Sequence, residues 1–138
     1  MGKIKQNFIY KGQLDRVYDG DTIWATLDLG FDMFFKCSIR VKGIDTPESK
    51  INLRKHPERT IEKALAKLAK KRMKELCGKQ VWVESKKLLR GKEGTAKEKY
   101  GRVLGNLYQM DGTNIADVLI KEGYAVEYKG DKKTHKWV

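Results

Sequence analysis

The stretch FIYKGQLDRVYDGDTIWATLDLGFDMFFKCSIRVK, residues 8–42, decides the fold class of this chain. It contains three runs rich in Ile, Val, Phe, Tyr, Trp and Thr, at residues 8–18, 22–29 and 34–42. Side chains of these types favour β-strands. The turn-type sequence DGD separates the first two runs, and GFD separates the second from the third. The stretch therefore predicts a three-stranded antiparallel meander.

The hydrophobic period changes to that of a helix in PERTIEKALAKLAKKRMKELCG, residues 57–78. The apolar residues that recur at helical spacing are Ile61, Leu65, Leu68 and Leu76, with Ala64, Ala69 and Met73 filling in. Pro57 suits a first helical turn, and Gly78 suits a stop. Lysines and arginines cover the opposite face. That face is interpreted first as a solvated surface, with direct nucleic-acid contact as the alternative.

Two further strands and a second helix complete the pattern. QVWVES (residues 80–85) and VLGNLYQM (residues 103–110) have strand composition, and TNIADVLIKEGY (residues 113–124) is a short amphipathic helix with Asn114 as a plausible N-cap. Five strands and two helices, with the first helix between strands three and four, match the α+β plan of a five-stranded OB-fold barrel. No linker divides the chain, so residues 1–138 are expected to form a single domain.

The charge of the chain predicts an anionic partner. Thirty Lys and Arg residues oppose eighteen Asp and Glu residues, which gives a formal net charge of +12 and a pI near 9.7. Such an imbalance in one small domain attracts polyanions such as nucleic acids or acidic membrane surfaces.

Cysteine usage and the N-terminal segment exclude several protein classes. Cys37 and Cys77 cannot make a disulfide framework, and both are expected to be reduced and partly buried. No Cys/His cluster has zinc-ligand spacing, and no apolar run approaches the length of a membrane span. The N-terminal residues lack the apolar region of a signal peptide. Two expectations remain: a cytoplasmic protein, which a phage could encode, or a secreted protein whose signal peptide has been trimmed.

Acidic residues in turn-like places are candidates for a cation site. Asp21 in DGDT (residues 19–22) and Asp45 in DTPE (residues 45–48) are short hard-oxygen ligands, which suit Ca²⁺ or Mg²⁺. The backbone carbonyl of Thr46 is a further donor. Glu48 lies one residue beyond a Pro that fixes the turn, and its longer carboxylate can orient or deprotonate a water molecule.

Two arginines accompany these acids in the sequence. Arg40 precedes DTPE, and Arg102 ends the motif KYGR, residues 99–102. A guanidinium group can clamp a phosphate with two parallel hydrogen bonds. Together with a divalent cation, two such groups would stabilise the charge that a phosphodiester gains at its transition state.

Each motif alone has a simpler structural explanation. DGD is a common hairpin turn, DTPE is a good loop or helix entry, and an arginine in a basic loop is usually solvated. The conjunction and order of the motifs carry the functional interpretation.

The order DGDT, RVKGIDTPE and KYGR, followed by GNLYQMDGTNIADVLIKEGYA, resembles the staphylococcal nuclease (thermonuclease) family from about Tyr10 to Tyr124. The resemblance implies an OB-fold and Ca²⁺-dependent hydrolysis of DNA and RNA to 3′-phosphate products by a monomer. It implies calcium binding by Asp21, Asp45 and the Thr46 carbonyl, with Asp19 behind them. It further implies that Glu48 acts on the attacking water, that Arg40 and Arg102 clamp phosphate, and that Lys99 and Tyr100 hold a neighbouring phosphate.

Three features of the chain depart from the family pattern. The ungapped register puts Lys129 at the first position of a tyrosine pair that lines the base pocket in the family. Tyr128 lies one residue away and is the candidate substrate-binding residue, since a small shift would bring it to that position. The family's third, C-terminal helix is expected to be lacking, because the sequence stops after GDKKTHKWV. The loop before KYGR is longer and carries extra basic residues, which either widen phosphate contact or belong to a disordered loop.

Three hypotheses follow. The first is an active calcium nuclease of endonuclease or exonuclease mode. The second is a non-catalytic OB-fold module that binds nucleic acid or a protein. The third is an enzyme of the same fold with another phosphodiester target. The presence of Asp21, Arg40, Asp45, Glu48 and Arg102 together favours the enzyme over the binding module.

Overall fold

The computed structural model describes residues 3–89, 102–129 and 137. In chain order, the elements are β1 (Ile9–Asp19), β2 (Thr22–Gly30), β3 (Met33–Val41), β4 (Ile44–Asp45), α1 (Thr60–Cys77), β5 (Gln80–Leu89), β6 (Arg102–Tyr108), α2 (Ile115–Lys121) and β7 (Val126–Glu127). A turn of 3₁₀ helix, Pro57–Arg59, leads into α1.

The five long strands form a closed barrel in the order β1-β2-β3-β6-β5. The pairs are antiparallel except β3 with β6, which run parallel. The parallel pair requires a crossover, and α1 and β5 lie in that crossover. The predicted meander, the helix between the third and fourth long strands, and the OB-fold class are confirmed.

Alternation of side chains along the strands builds the barrel core. From residue 23 to 27 in β2 and from 37 to 41 in β3, every second residue is buried and the residues between them are partly exposed. The fully buried inward residues are Ile23, Ala25, Cys37, Ile39, Val81, Val83 and Leu107. Cys37 and Cys77 are buried free thiols, as predicted.

The predicted apolar face of α1 is wrong in part. Ile61 is 55% exposed and Leu68 is 51% exposed. The buried residues of this helix are Ala66, Ala69, Met73, Leu76 and Cys77. In the first half of the helix the buried positions are the small residues Ala66 and Ala69, which allow a close approach to the barrel, and in the second half they include Met73 and Leu76.

Two very short strands extend the predicted architecture. Strands β4 and β7 pair antiparallel, with Ile44 opposite Glu127 and Asp45 opposite Val126. This pairing brings the C-terminal part of the described chain against the turn that carries Asp45. The fourth long strand, predicted to end at Ser85, continues to Leu89.

The second helix begins where the sequence predicts. The Asn114 side chain accepts hydrogen bonds from the backbone N–H groups of Ala116 and Asp117, and Gly123 follows the helix with a φ of 84°. Residues 130–136 lie outside the described residues, and the expectation about a third helix falls there. Neither helix of the described part is long and apolar enough to cross a membrane.

Candidate active site

Two buried carboxylates share one arginine at the edge of the barrel. Arg40 Nη1 lies 3.3 Å from Asp21 Oδ2, and Arg40 Nη2 lies 3.8 Å from Asp45 Oδ1. These side chains are only 13%, 10% and 7% exposed, respectively. Arg40 Nη1 also donates to the Val41 carbonyl at 3.1 Å. The guanidinium group is thus held in place by two carboxylate charges and a backbone oxygen. Asp21, Arg40 and Asp45 together are called the Arg40 cluster below.

Strand pairing and one close contact bring these residues together. Thr22 at the start of β2 pairs with Arg40 near the end of β3, and the Val41 N–H donates to the Asp21 carbonyl at 2.9 Å. The Thr46 N–H donates to Asp21 Oδ2 at 3.4 Å, which joins the DGDT turn to the DTPE turn. Gly20 is required between them, because a Cβ there would lie 2.9 Å from Ala69 Cβ and 3.0 Å from Thr46 Oγ1.

Arg102 shares the outer face of the barrel with Arg40. It pairs with Ser38 in the parallel β3–β6 ladder, two residues before Arg40 on β3, so the two arginines project from the same side. Arg102 Nη2 donates to Thr22 Oγ1 at 3.1 Å. Partial burial of the guanidinium group and the nearby charge of Arg40 lower the pKa of Arg102. An anion bound between the two arginines would offset both effects, because its negative charge favours the charged form of each guanidinium group.

Asp19 lies at the margin of this cluster. Its carboxylate accepts a hydrogen bond from the Ser49 hydroxyl. Burial raises the pKa of Asp19, and the charges of Asp21 and Glu48 raise it further, while the bond from Ser49 and the charge of Lys70 oppose the rise. Residues from three segments of the chain therefore act on this one carboxyl group.

Glu48 is held by its own set of partners. Its side chain is 52% exposed, and its Oε2 lies 3.3 Å from Arg59 Nη2. Glu62 accepts from the Glu48 backbone N–H at 3.2 Å and binds the same arginine at 2.8 Å. The 3₁₀ turn thus positions the carboxylate of Glu48 through Arg59, and the first turn of α1 positions its backbone through Glu62. Glu48 stands beside the Arg40 cluster, and no direct bond of the described residues joins it to Asp21 or Asp45.

Two tyrosines flank the cluster. The ring of Tyr128 lies under the Arg40 guanidinium, 5.9 Å from ring centroid to Cζ, and its N–H donates to the Gly43 carbonyl. The ring therefore lies beside the Arg40 guanidinium, and the substrate contact by Tyr128 stays a prediction. Tyr18, which was not predicted, is 39% exposed, and the ammonium group of Lys50 lies 5.5 Å from the centroid of its ring. The predicted phosphate-binding residues Lys99 and Tyr100 lie outside the described residues.

The structure thus brings together Asp21, Arg40, Asp45, Thr46 and Arg102, all predicted from motif order. Sequence reasoning missed Ser49, Arg59 and Glu62, which position the predicted residues. Arg59 and Glu62 are three residues apart at the start of a helix, and ordinary ion pairs on helix surfaces have the same spacing. Only the three-dimensional position of α1 distinguishes them.

Comparison with known proteins identifies the family. The sequence profile described as staphylococcal nuclease homologue matches residues 38–137. This chain belongs to that family. The chain is 38% identical over 113 residues to the SPbeta prophage-derived endonuclease YokF and 36% identical over 113 residues to endonuclease YncB, both from Bacillus subtilis (strain 168). It is 32% identical over 119 residues to endonuclease YhcR of the same strain.

These nuclease-family relatives are longer proteins. The matched region covers 81% of this chain and 32% of YokF, and 81% of this chain and 45% of YncB. For YhcR the figures are 86% of this chain and 9% of the relative. The chain therefore spans less than half the length of each of these relatives.

The Arg40 cluster and the adjacent Thr46 offer oxygen donors that suit a hard divalent cation. Two buried carboxylates, Asp21 and Asp45, and the Thr46 backbone carbonyl are hard ligands. The buried Thr46 Oγ1 has no hydrogen-bond partner among the described residues, which leaves a polar atom to be satisfied at this place. No group of three or more His, Cys, Asp and Glu side chains in residues 3–89 and 102–129 is arranged around a metal position. Two carboxylates and one carbonyl are fewer than the roughly six to eight oxygen ligands that Ca²⁺ takes, so a cation held by them would need further ligands such as water.

Proposed function

We propose that this domain is a Ca²⁺-dependent nuclease that hydrolyses phosphodiester bonds of DNA and RNA and leaves 3′-phosphate products. One observation carries the proposal: Arg40 and Arg102 project from the same face of the barrel beside two buried carboxylates. The names of the relatives, all endonucleases, support the same reaction class.

The two arginines suit the charge of a phosphodiester. Arg102 has a lowered pKa because it is partly buried and lies near the positive charge of Arg40. An anion bound between the two guanidinium groups offsets the repulsion between them. Guanidinium groups contact two phosphate oxygens at once. As charge grows on those oxygens at the transition state, the contacts strengthen, and this difference accelerates the reaction.

Asp21, Asp45 and the Thr46 carbonyl are the residues that would hold Ca²⁺. When bound, the cation supplies positive charge to the phosphate oxygens and a place for water. Asp21 is held for this role by Arg40 and by the Thr46 N–H. When no cation is bound, the positive charge of Arg40 also offsets the repulsion between the two carboxylates.

Glu48 is proposed to orient and deprotonate the attacking water. Its exposed carboxylate can accept a proton, and Arg59 together with Glu62 restricts where that carboxylate lies. A positioned general base contributes roughly 10²–10⁴-fold to a rate.

Digestion of single-stranded DNA, duplex DNA and RNA with calcium, with magnesium and with a chelator tests the proposal. Glu48→Gln and Arg102→Ala are the informative variants. Arg102→Ala is expected to lower kcat on the order of 10²-fold, because it removes a contact to the transition-state charge. End-group analysis of the products should find the phosphate on the 3′ side.

Glu58→Gln and Arg54→Ala are the matched controls, since both residues are exposed, Glu58 in the 3₁₀ turn and Arg54 in the loop before it. They should keep wild-type rates. Tight, salt-sensitive binding with no cleavage under any metal would contradict the nuclease and support the binding module instead. Full activity in Arg102→Ala would remove Arg102 from the phosphate clamp.

A further inference from the structure

A basic groove lies between β1 and α1, on the barrel side next to the Arg40 cluster. Its volume is about 620 Å³, and its walls are residues 13–17 of β1 and the outer face of α1 with the turn that follows. The cationic residues that line it are Arg16, Lys67, Lys70, Lys71, Lys74 and Lys79. Asp15 is the one acid among the described residues that line it, and Asp15 Oδ2 accepts a hydrogen bond from Thr26. The groove is therefore strongly positive.

The spacing of the helical lysines concentrates this charge. Lys67 and Lys71 are four residues apart, as are Lys70 and Lys74, so these ammonium groups are neighbours on the surface of α1. Like charges at this spacing destabilise a helix. Among the ion pairs of the described residues, none includes a groove lysine, whereas Arg59 and Arg72 on the same segment are paired with Glu62 and Glu122. The groove thus presents cations that the described fold leaves for an external anion.

The groove leads to the candidate active site. One end lies where the Leu14 N–H donates to the Lys79 carbonyl at 2.9 Å. The other end reaches Val17, two residues before Asp19, and the charge of Lys70 acts on the Asp19 carboxyl. The lysine wall of the groove is therefore near enough to act on a carboxyl group at the margin of the Arg40 cluster.

We propose that this groove binds the sugar–phosphate backbone of a single nucleic-acid strand beyond the bond that is cut. The inference rests on the proposed nuclease function and adds a binding surface to it. The β1 wall from Gln13 to Val17 is about 13 Å long at 3.3 Å per residue. With phosphates at least 3.4 Å apart along a strand, the wall accommodates at most about four of them.

Equilibrium binding in a chelator tests the groove without cleavage. The groove variant is Lys71→Ala with Lys74→Ala. The control is Lys5→Ala with Lys121→Ala, which removes the same charge from exposed positions outside the groove. Fluorescence anisotropy with a labelled single strand of about 16 nucleotides gives the affinity over a range of salt concentrations. Loss of two phosphate contacts should reduce the slope of log K against log salt by about 1.4, and the control should keep the wild-type slope.

Cleavage of long and short substrates gives a second readout. A strand of about 4 nucleotides occupies the Arg40 cluster but leaves most of the groove empty. The ratio of kcat/KM for the long strand to that for the short strand should fall in the groove variant and stay at the wild-type value in the control.

Three outcomes bear on the inference. An unchanged slope and an unchanged substrate ratio in the groove variant would overturn it while leaving the nuclease proposal intact. Equal losses in both variants would show that only net charge matters, which also overturns it. If the unmodified protein neither binds nor cuts nucleic acid, the proposed function itself fails, and the groove with it.

Discussion

At the scale of single residues, Gly20 decides whether the acidic turns can meet. The sequence predicts a turn at DGD, and a glycine is expected in any turn. The structure gives the glycine a different role, because Gly20 is buried against Ala69 and Thr46 and does not have a positive φ. The contact joins α1 to both motifs that carry the carboxylates. No sequence pattern of turns contains this information.

Gly20→Ala is expected to lower the free energy of unfolding by about 1–3 kcal/mol, as overpacking of a filled contact does. A Cβ would lie 2.9 Å from Ala69 Cβ, so α1 or the turn must move. Urea denaturation measures the effect. In a double-mutant cycle, Ala69→Gly should recover part of the loss by restoring space. Strict additivity of the two changes would contradict the contact.

Arg40 and Arg102 should differ sharply in their contribution to stability. Removing Arg40 leaves the buried Asp21 and Asp45 without a shared counter-charge, and breaking a buried ion pair costs about 3 kcal/mol or more. Arg102 is exposed as a residue, and among the described residues its side chain donates to a hydroxyl rather than to a carboxylate, so its loss should cost less than about 1 kcal/mol. Urea unfolding of Arg40→Ala and Arg102→Ala in a chelator compares the two. Equal losses would contradict the assignment of Arg40 as the structural counter-charge.

At the scale of elements, the strands follow from their side-chain alternation, and the helical face does not. Strands β2 and β3 alternate between core and surface over part of their length, and the order of apolar and polar residues in the sequence shows this alternation. Helix α1 instead buries Ala66 and Ala69 and exposes Ile61 and Leu68. A pattern search weights large apolar residues, whereas close packing can favour small ones. The two-residue strands β4 and β7 are too short to have a period at all.

The β2–β3 hairpin contains backbone strain that substitution should relieve. Phe31 and Asp32 have φ values of 56° and 59°, a conformation that two-residue turns prefer to fill with Asn-Gly. The Phe31 side chain is also 98% exposed, so it gains no burial there. Phe31→Asn with Asp32→Gly should raise the free energy of unfolding by about 1 kcal/mol. Phe31→Val, with a β-branched side chain at positive φ, should lower it, and an effect of the same sign in both variants would contradict the argument.

At the scale of the whole molecule, net charge predicts a polyanionic partner but not where the charge lies. The sequence places Lys67, Lys70, Lys71 and Lys74 on a helical face that is interpreted first as solvated. In the structure that face forms one wall of a groove beside the candidate active site. The other wall is β1, which is about fifty residues away in the chain. A surface made of distant segments cannot be read from either segment alone.

The core as a whole also determines how the molecule responds to alkaline pH. Burial raises the pKa of Cys37 to about 11 and that of Cys77 to about 12, against 9.0 for an ordinary cysteine. The native thiols therefore stay neutral where the unfolded thiols ionise. The unfolded state then binds fewer protons than the native state. The contribution of the two thiols to the free energy of unfolding is therefore complete below pH 9.0 and is lost as the pH rises toward 11 and 12.

Thiol modification and urea unfolding check this expectation together. Near neutral pH a disulfide reagent should leave both native thiols unmodified and label both in urea, because the thiolate is the reactive species and neither sulfur is accessible in the fold. Cys37→Ala with Cys77→Ala lowers stability by creating cavities, so its absolute stability is not informative. Its stability should nevertheless fall less steeply with pH above 9.0 than that of the unmodified protein. Parallel pH profiles for the two proteins would mean that other groups, such as Tyr108 with its raised pKa, control the alkaline limit of the fold.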